Sequence, residues 1–315
     1  MMTRYLARRL AYLVIQVLLV ATAVFLLLRL VPGDPARAIV GETATEEQVQ
    51  VMRQRLGIDR PVWEQYAVWL GGVLRGDLGK SIINGDAIGQ QVAQRIGNTF
   101  ELTIVSTVVA LLVGIPLGIL AAIRANRLPD FVVSTVAMLG LSLPGFVVGT
   151  VLLLVFGLVL RWLPQQQFVT FLANPQQHVQ LLILPVVTLA AGTSAVMMRI
   201  TRASMLEVVR QDYVRTARAK GLPNGVVLVR HALRNALNPV VSLVGLELAV
   251  LLGGTVIVET IFGWPGLSSL LLAGVRSRDY PTVQGVVLVI AVLTILINLA
   301  VDLVYGLLDP RIRYS

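Results

Sequence analysis

Six apolar runs, each close to the length needed to cross a lipid bilayer, constrain this chain more than any other feature. They occupy residues 10–28, 102–123, 131–160, 181–198, 236–261 and 283–308. A helix rises about 1.5 Å per residue, so about 20 apolar residues cross a hydrocarbon core of about 30 Å. In lipid each backbone N–H and C=O must find its partner within the protein, and a run of this length does so as a helix. The expected fold is all-α: a polytopic membrane protein with six transmembrane helices. A single transmembrane domain over residues 1–315 is expected, with a small helical outer excursion at about 32–98 and an inner loop at about 201–235.

Composition agrees with this reading. Hydrophobic residues make up 56% of the chain and charged residues only 14%, against roughly a quarter charged in soluble domains. There is no cysteine, which removes disulfides, thiolate metal sites and cysteine nucleophiles together. The net charge of +9 fits inner loops that collect Lys and Arg and face anionic lipid. Membrane lipid is therefore an expected partner. No nucleic-acid motif accompanies the charge, so no nucleic acid is expected.

Arginine placement sets the expected topology. Arg4, Arg8 and Arg9 precede the first run and hold that end in the cytoplasm. Ala21-Thr22-Ala23 mimics a signal-peptide cleavage site, but the apolar run continues through Phe25–Leu28, so an uncleaved span is expected. Six spans bring both termini to the same side, in keeping with Arg311 and Arg313 at the other end. Arg124 and Arg127 mark a short inner turn.

The outer excursion carries its own helix signals. Thr45 and Gln48 have capping-box spacing ahead of Val49, Met52 and Leu56, with Gly57 as the stop. Val62, Tyr66, Trp69, Leu70 and Val73 form a second stripe after Pro61. Asp86 is placed to cap a third short helix through Ile88, Val92 and Ile96. The excursion reads as an outer cap or docking surface. The segment 262–281, rich in Gly, Trp and Pro, leaves room for another short helix. Gly114, Pro116 and Gly118 allow kinks and close contacts within the second span, and Pro144-Gly145 should bend the third.

Sites of chemistry are hard to find. Gly79-Lys80-Ser81 resembles the end of a phosphate-binding loop, but Leu74 stands where that motif needs Gly. Gly140-Leu141-Ser142-Leu143-Pro144 approaches a serine-hydrolase elbow, but Pro144 replaces the last Gly. A serine nucleophile also needs a base. The two histidines, His178 in an outer loop and His231 in the inner loop, are placed out of reach of Ser142. Three acids fall in the spans. Glu259 and Asp302 stand near span ends, where water or head groups can solvate them, whereas Glu247 is deep. Membrane-buried acids are functional by default. Glu247 and Ser142 are thus candidates for a solute path, with an ion-coupled secondary carrier using Glu247 as a proton site as the alternative function. No catalytic, cofactor-binding or metal site is expected, and the chain does not read as an enzyme.

The inner stretch 204–239 is the densest basic segment between two spans. Ser204 and Glu207 have capping-box spacing and mark an expected helix start. Leu206, Val209, Tyr213 and Ala217 recur as an apolar stripe. Arg218 and Lys220 fall in the last turn, where the helix dipole favours cations. Gly221, two residues before Pro223, should close the helix with positive φ. Three readings remain open on these residues: a basic helix lying on lipid, a plain connector, or a helix docked into a groove of a cytoplasmic partner.

Longer motifs decide among them. Arg8-Arg9-Leu10 and Pro32-Gly33-Asp34-Pro35 stand at the front, followed by Trp69-Leu70-Gly71-Gly72 and Gly76-Asp77-Leu78-Gly79. The inner loop adds Asp212-Tyr213-Val214-Arg215-Thr216-Ala217-Arg218-Ala219-Lys220-Gly221 and Arg230-His231-Ala232-Leu233-Arg234-Asn235-Ala236. Phe262-Gly263-Trp264-Pro265-Gly266 and Leu308-Asp309-Pro310-Arg311-Ile312-Arg313-Tyr314 complete the set. In this order, over nearly the whole chain, they resemble the first permease of bacterial ATP-binding-cassette importers of the dipeptide and oligopeptide class.

The resemblance implies a type I importer permease fold in the bacterial inner membrane, with both termini cytoplasmic. It implies that this chain forms half of a path for peptides or a similar small solute. The implied partners are a second related permease, two cytoplasmic ATP-binding subunits and an extracytoplasmic substrate-binding protein. The permease itself holds no cofactor; ATP and Mg would be bound by the ATPases. A coupling helix over 204–221 is implied, with Glu207, Asp212, Tyr213, Arg215, Thr216, Ala217, Lys220 and Gly221 at the ATPase interface. The general importer motif, Glu-Ala-Ala-x-x-x-Gly, survives only in part: Arg215 and Thr216 replace its Glu and first Ala, so no ion pair of that Glu carries over. Relatives of this class carry peptides, glutathione, nickel chelates or some sugars, and the sequence does not choose among them.

Overall fold

The computed structural model describes residues 2–30, 34–41, 43–162 and 167–308. The described residues are almost wholly helical, and their only extended pairing is an isolated bridge between Lys80 and Ala87. The helices are α1 (Met2–Leu30), α2 (Pro35–Val40), α3 (Glu46–Leu56), α4 (Val62–Val73) and α5 (Ile88–Ile123). Next come α6 (Leu128–Ser142), α7 (Gly145–Leu152, continued as a π-helix over Leu153–Val159), α8 (Pro175–Val209) and α9 (Asp212–Ala219). The chain goes on through α10 (Asn224–Ala236, with a π-helical middle), α11 (Asn238–Gly254), α12 (Val256–Ile261), α13 (Leu267–Arg276) and α14 (Tyr280–Leu308).

By length and composition, four helices can cross a membrane unbroken: Ala11–Leu30, Ile88–Ile123, Pro175–Val209 and Tyr280–Val301. Two bent pairs bring the number to the six expected. One is α6 with α7, which meet at 99°. Leu143 is extended there, at φ −87 and ψ 122, because a residue before proline is driven from the helical region. The other is α10 with α11, bent by 41° beside Pro239.

The chain divides into two compact units, Met1–Thr99 with Pro265–Leu299, and Phe100–Trp264 with Ala300–Ser315. In the first, an aromatic clasp ties α4 to α1. Phe25 is buried, with Tyr66 edge-on at 5.0 Å and Trp69 at 5.6 Å, and the hydroxyls of Thr22 and Tyr66 are 2.7 Å apart. Thr45 and Gln48 form the expected capping box, and Gly57 ends α3 in the left-handed conformation. Ile88, Val92, Leu267, Leu270 and Val286 form the core of this unit, so the segment 262–281 does contain a helix, α13. The Gly-Lys-Ser segment has a structural use. The buried Asp279 carboxylate accepts from Ser81 Oγ at 2.5 Å, Thr282 Oγ1 at 2.7 Å and the Ile82 N–H at 3.2 Å. That pins the loop to the start of α14. The third short helix is corrected: Ile88, Val92 and Ile96 are the first turns of α5, and Asp86 accepts from the Asn84 amide at 2.7 Å.

In the second unit α5 crosses α8 at close range. A Cβ on Gly114 would come within 2.6 Å of Met197 Cβ, and one on Gly118 within 2.7 Å of the Met198 carbonyl, so these two glycines set the approach. Small residues bring α6 into the same packing: Ala121, Val133, Ala137 and Ala195 pack with Met198. Two expectations fail here. His178 lies in the first turn of α8, not in a loop, and is 2% exposed between Phe168 and Trp264. Its Nε2 is 2.8 Å from Glu101 Oε1 and its Nδ1 is 2.7 Å from the Val169 carbonyl. Glu259 is not solvated; it is fully buried and accepts from Thr255 Oγ1 at 2.9 Å. Pro32-Gly33, Pro164, the Asp302 side chain and the terminal Asp309–Tyr314 motif lie outside the described residues.

Candidate functional site

The inner stretch folds differently from the single helix read at 204–221. Ser204 is no cap: it is buried well inside α8, which runs on to Val209. The break comes at Arg210, the last helical turn's cap, and Gln211, which is extended at φ −69 and ψ 148. From there α9 makes two turns, and Gly221 closes it with φ +75, its N–H bonded to the Arg218 carbonyl at 2.9 Å. Pro223 then leads into α10.

Resetting the helix at Gln211 also resets its apolar face. Val214 and Ala217 are buried against Val227, with Val208 packed beside them. Tyr213, read as part of the apolar stripe, is instead exposed, and its hydroxyl accepts from the Asn235 amide at 2.8 Å. The loop is anchored from below by Met205, Ala232, Ala236 and Ala122, which form one buried cluster with Ile119 and Leu228. Short side chains in that cluster let α10 approach the ends of α5 and α8 closely.

Above this anchor lies a polar, solvent-exposed face. Asp212, Tyr213, Arg215, Thr216, Arg218 and Lys220 are all exposed. Asp212 and Arg215 hold only a loose pair at 3.5 Å, with side chains 96% and 72% exposed, and such pairs contribute little. Of the eight interface candidates, Ala217 is turned inward as an anchor, and Glu207 is exposed on α8 before the break. Asp212, Tyr213, Arg215, Thr216, Lys220 and Gly221 remain together on or beside α9.

The two path candidates are not brought together by a shared partner. Ser142 Oγ bonds the Met138 carbonyl of its own helix at 2.8 Å, at the α6–α7 break. Glu247 lies half-buried on α11, with Thr193 Oγ1 of α8 at 3.4 Å. Sequence reasoning missed a third feature, the buried Asp130 paired with Arg202. Its signal was an acid in an otherwise basic inner turn. Among the described residues, no group of three His, Cys, Asp or Glu is placed to hold a metal.

The chain is similar to proteins of known role over its whole length. The family model described as binding-protein-dependent transport system inner membrane component matches residues 114–314, and that of the corresponding N-terminal membrane component matches residues 2–113. The glutathione transport system permease protein GsiC of Escherichia coli K12 is 42% identical over 314 residues, covering 100% of both chains. The protein of that name in Salmonella choleraesuis is 44% identical, again over 100% of both. Two solved structures share the fold. An inward-facing MetNI methionine ABC transporter has a TM-score of 0.56 at 17% identity, covering 70% of this chain and 97% of its own. An amino acid ABC transporter with histidines has a TM-score of 0.52 at 19% identity, covering 70% and 94%.

Proposed function

This chain belongs to the inner membrane components of binding-protein-dependent transport systems, and on that premise we propose that it carries short peptides, glutathione among them, and couples to its ATPase through α9. It is a multi-pass permease subunit of an ATP-driven importer; it is not catalytic, and ATP is hydrolysed by partner ATPases. Membership sets aside the ion-coupled carrier. Importers of this kind work with a permease partner, an ATPase and a binding protein. The finer arrangement proposed is two related permeases and two ATPases, with an extracytoplasmic binding protein feeding the mouth. Both termini and α9 are proposed to face the cytoplasm and residues 36–98 the outside.

The observation that carries the coupling reading is the division of α9 into two faces. Val214 and Ala217 fasten it to Val227 and Val208, while Asp212, Arg215, Thr216 and Lys220 project into solvent. A short rigid helix with an anchored base and a polar crown suits insertion into a groove of another protein. Deep burial in lipid would require the opposite arrangement, with apolar residues outward. ATP-driven motion of the groove would then move α9, and through its anchor the inner ends of α5, α8 and α10, so the permease rocks between inward-open and outward-open states. Glu247 and Ser142 are proposed to line the path.

The absence of cysteine makes the test direct. Single cysteines are placed at Gln48 and Thr216 and labelled in intact cells, and a photoreactive crosslinker is then attached at each. The expected result is that an impermeant maleimide labels only the Gln48 site and that only the Thr216 site crosslinks to the ATPase. Labelling of both sites would overturn the topology. Absence of any ATPase adduct from Thr216 would overturn the docking role.

A further inference from the structure

The first unit contains a cavity of about 740 Å³ that no part of the coupling reading uses. Its lining includes the last turn of α1, the loop between α3 and α4, and the first turns of α14. Two of these elements are ends of membrane spans, so the cavity stands at the depth of a bilayer interface.

Its charge is unbalanced. Among the described residues three arginines line it, Arg29, Arg53 and Arg60, with Asp34 as the sole acid. Asp34 is already engaged: Arg53 Nε and Nη2 both donate to its Oδ2, at 2.9 and 2.6 Å. Among the described residues Arg29 has no carboxylate partner. Its guanidinium is held by neutral groups: Nη1 donates to the Phe25 carbonyl at 3.0 Å, Nη2 to Gln65 Oε1 at 2.5 Å, and the carbon centre lies 3.4 Å from the Phe25 ring centroid. Five N–H donors on a guanidinium leave three unspent, in a fixed plane. A second donor borders the cavity. Gln284 lines the cavity, and its Nε2, itself occluded, has no hydrogen-bond partner among the described residues. An unsatisfied buried amide is costly until an acceptor arrives.

One side of the wall is apolar, with Leu28, Val62 and Val68 beside Trp69. Outside it the surface of α1 continues as exposed leucines, Leu26, Leu27 and Leu30. Acceptor oxygens carrying negative charge, joined to a long apolar body, match these features together. We propose that this cavity binds an anionic phospholipid, with the phosphate on Arg29 and Gln284 and an acyl chain along Leu28 and Val68. The site is independent of α9 and of which side each loop faces, so its failure would leave the importer reading untouched.

The permease pair is purified in detergent, delipidated, and offered phosphatidylglycerol and phosphatidylcholine of matched chains, with the first bound lipid read by native mass spectrometry. Wild type is expected to prefer phosphatidylglycerol by about tenfold or more, as charge-assisted contacts from the Arg29 guanidinium imply. Arg29→Gln should bring the preference close to parity. Val68→Trp, at a position 65% exposed and so tolerant of bulk, should lower binding of both lipids by obstructing the cavity. Wild-type preference in Arg29→Gln, or undiminished binding in Val68→Trp, overturns the proposal. Displacement of the bound lipid by inorganic phosphate alone would assign the site to soluble anions and overturn it as well.

Discussion

Arg202 grips Asp130 with both arms of its guanidinium fork: Nε is 2.5 Å from Oδ1 and Nη2 is 2.8 Å from Oδ2. The carboxylate also accepts from the Asn126 N–H at 2.9 Å and from Ser134 Oγ at 3.3 Å. Asp130 is 4% exposed. The pair joins the start of α6 to α8 about two turns before the α8–α9 break. A displacement of α9 carried along α8 therefore reaches α6 through this contact, as well as through the apolar anchor.

Removing one partner leaves a buried charge with nothing to balance it, which costs roughly 3 kcal/mol or more. Arg202→Met should therefore destabilise the permease strongly, and Asp130→Asn should do so less. Combining the two should recover much of the loss, because the stranded charge is gone. Thermal unfolding of the purified permease pair checks this. Additive effects of the two substitutions would mean that the pair carries no coupling.

Among the described residues Glu247 makes a single long hydrogen bond, with Thr193, so the fold depends little on it. Glu247→Gln should leave stability unchanged, and Thr193→Val should cost under about 1 kcal/mol. Glu247→Leu should retain assembly but slow uptake of a labelled dipeptide into proteoliposomes several-fold. Full uptake by the leucine variant would remove Glu247 from the path.

The helical excursion between α1 and α5 should respond to acid through Asp34. Burial raises the pKa of this carboxyl, but the Arg53 hydrogen bonds and charge, with the Ala36 N–H, outweigh that and hold it below the ordinary value. A depressed folded pKa stabilises above the unfolded value of about 3.9, and the gain disappears as pH falls through the folded one. Protection factors over α3, corrected for the intrinsic exchange rate at each pH, should therefore be high at neutral pH and fall several-fold below about pH 4. Asp34→Asn keeps an N-cap side chain but loses the charge, so its protection should be lower at neutral pH and flatter with acid. Matching profiles for the two proteins would show that the pair contributes nothing.

What could be read in the sequence was what is decided locally. Thr45 and Gln48 cap each other because they stand three residues apart at a free helix start. Leu143 leaves the helix because Pro144 follows it, and Gly221 adopts positive φ at the end of a short helix. Ser204 carries the same spacing signal with Glu207, yet it lies inside α8, where the backbone N–H groups are already bonded. A capping motif means something only where the chain is not already helical. His178 and the Asp130–Arg202 pair depend on what folds against them, over 70 residues away in both cases. No local pattern announces such contacts. Tyr213 leaves the apolar stripe for a related reason: the break at Arg210–Gln211 resets the helix, and Val214 and Ala217 form its buried face.

Gly221 offers the sharpest separation of coupling from transport. Its φ of +75 lies in the left-handed region, and a Cβ there would meet no atom within 4 Å. Substitution therefore strains the backbone without a clash, at about 1–2 kcal/mol, and more for a β-branched residue. A six-span protein absorbs that much. The strain is relieved by reshaping the turn between α9 and Pro223, which tilts the exposed face of Asp212, Arg215 and Lys220 away from its present direction. Gly221→Val should insert normally and still pair with its sister permease, but pull down the ATPase at least several-fold less well and lose substrate-stimulated hydrolysis. Gly221→Asn, whose side chain tolerates the left-handed region, should keep most of both. A helix that merely lay on lipid would give a different pattern, with ATPase recovery unchanged in both variants and at most an altered lipid dependence. Wild-type recruitment and hydrolysis in Gly221→Val would end the coupling role assigned to this turn.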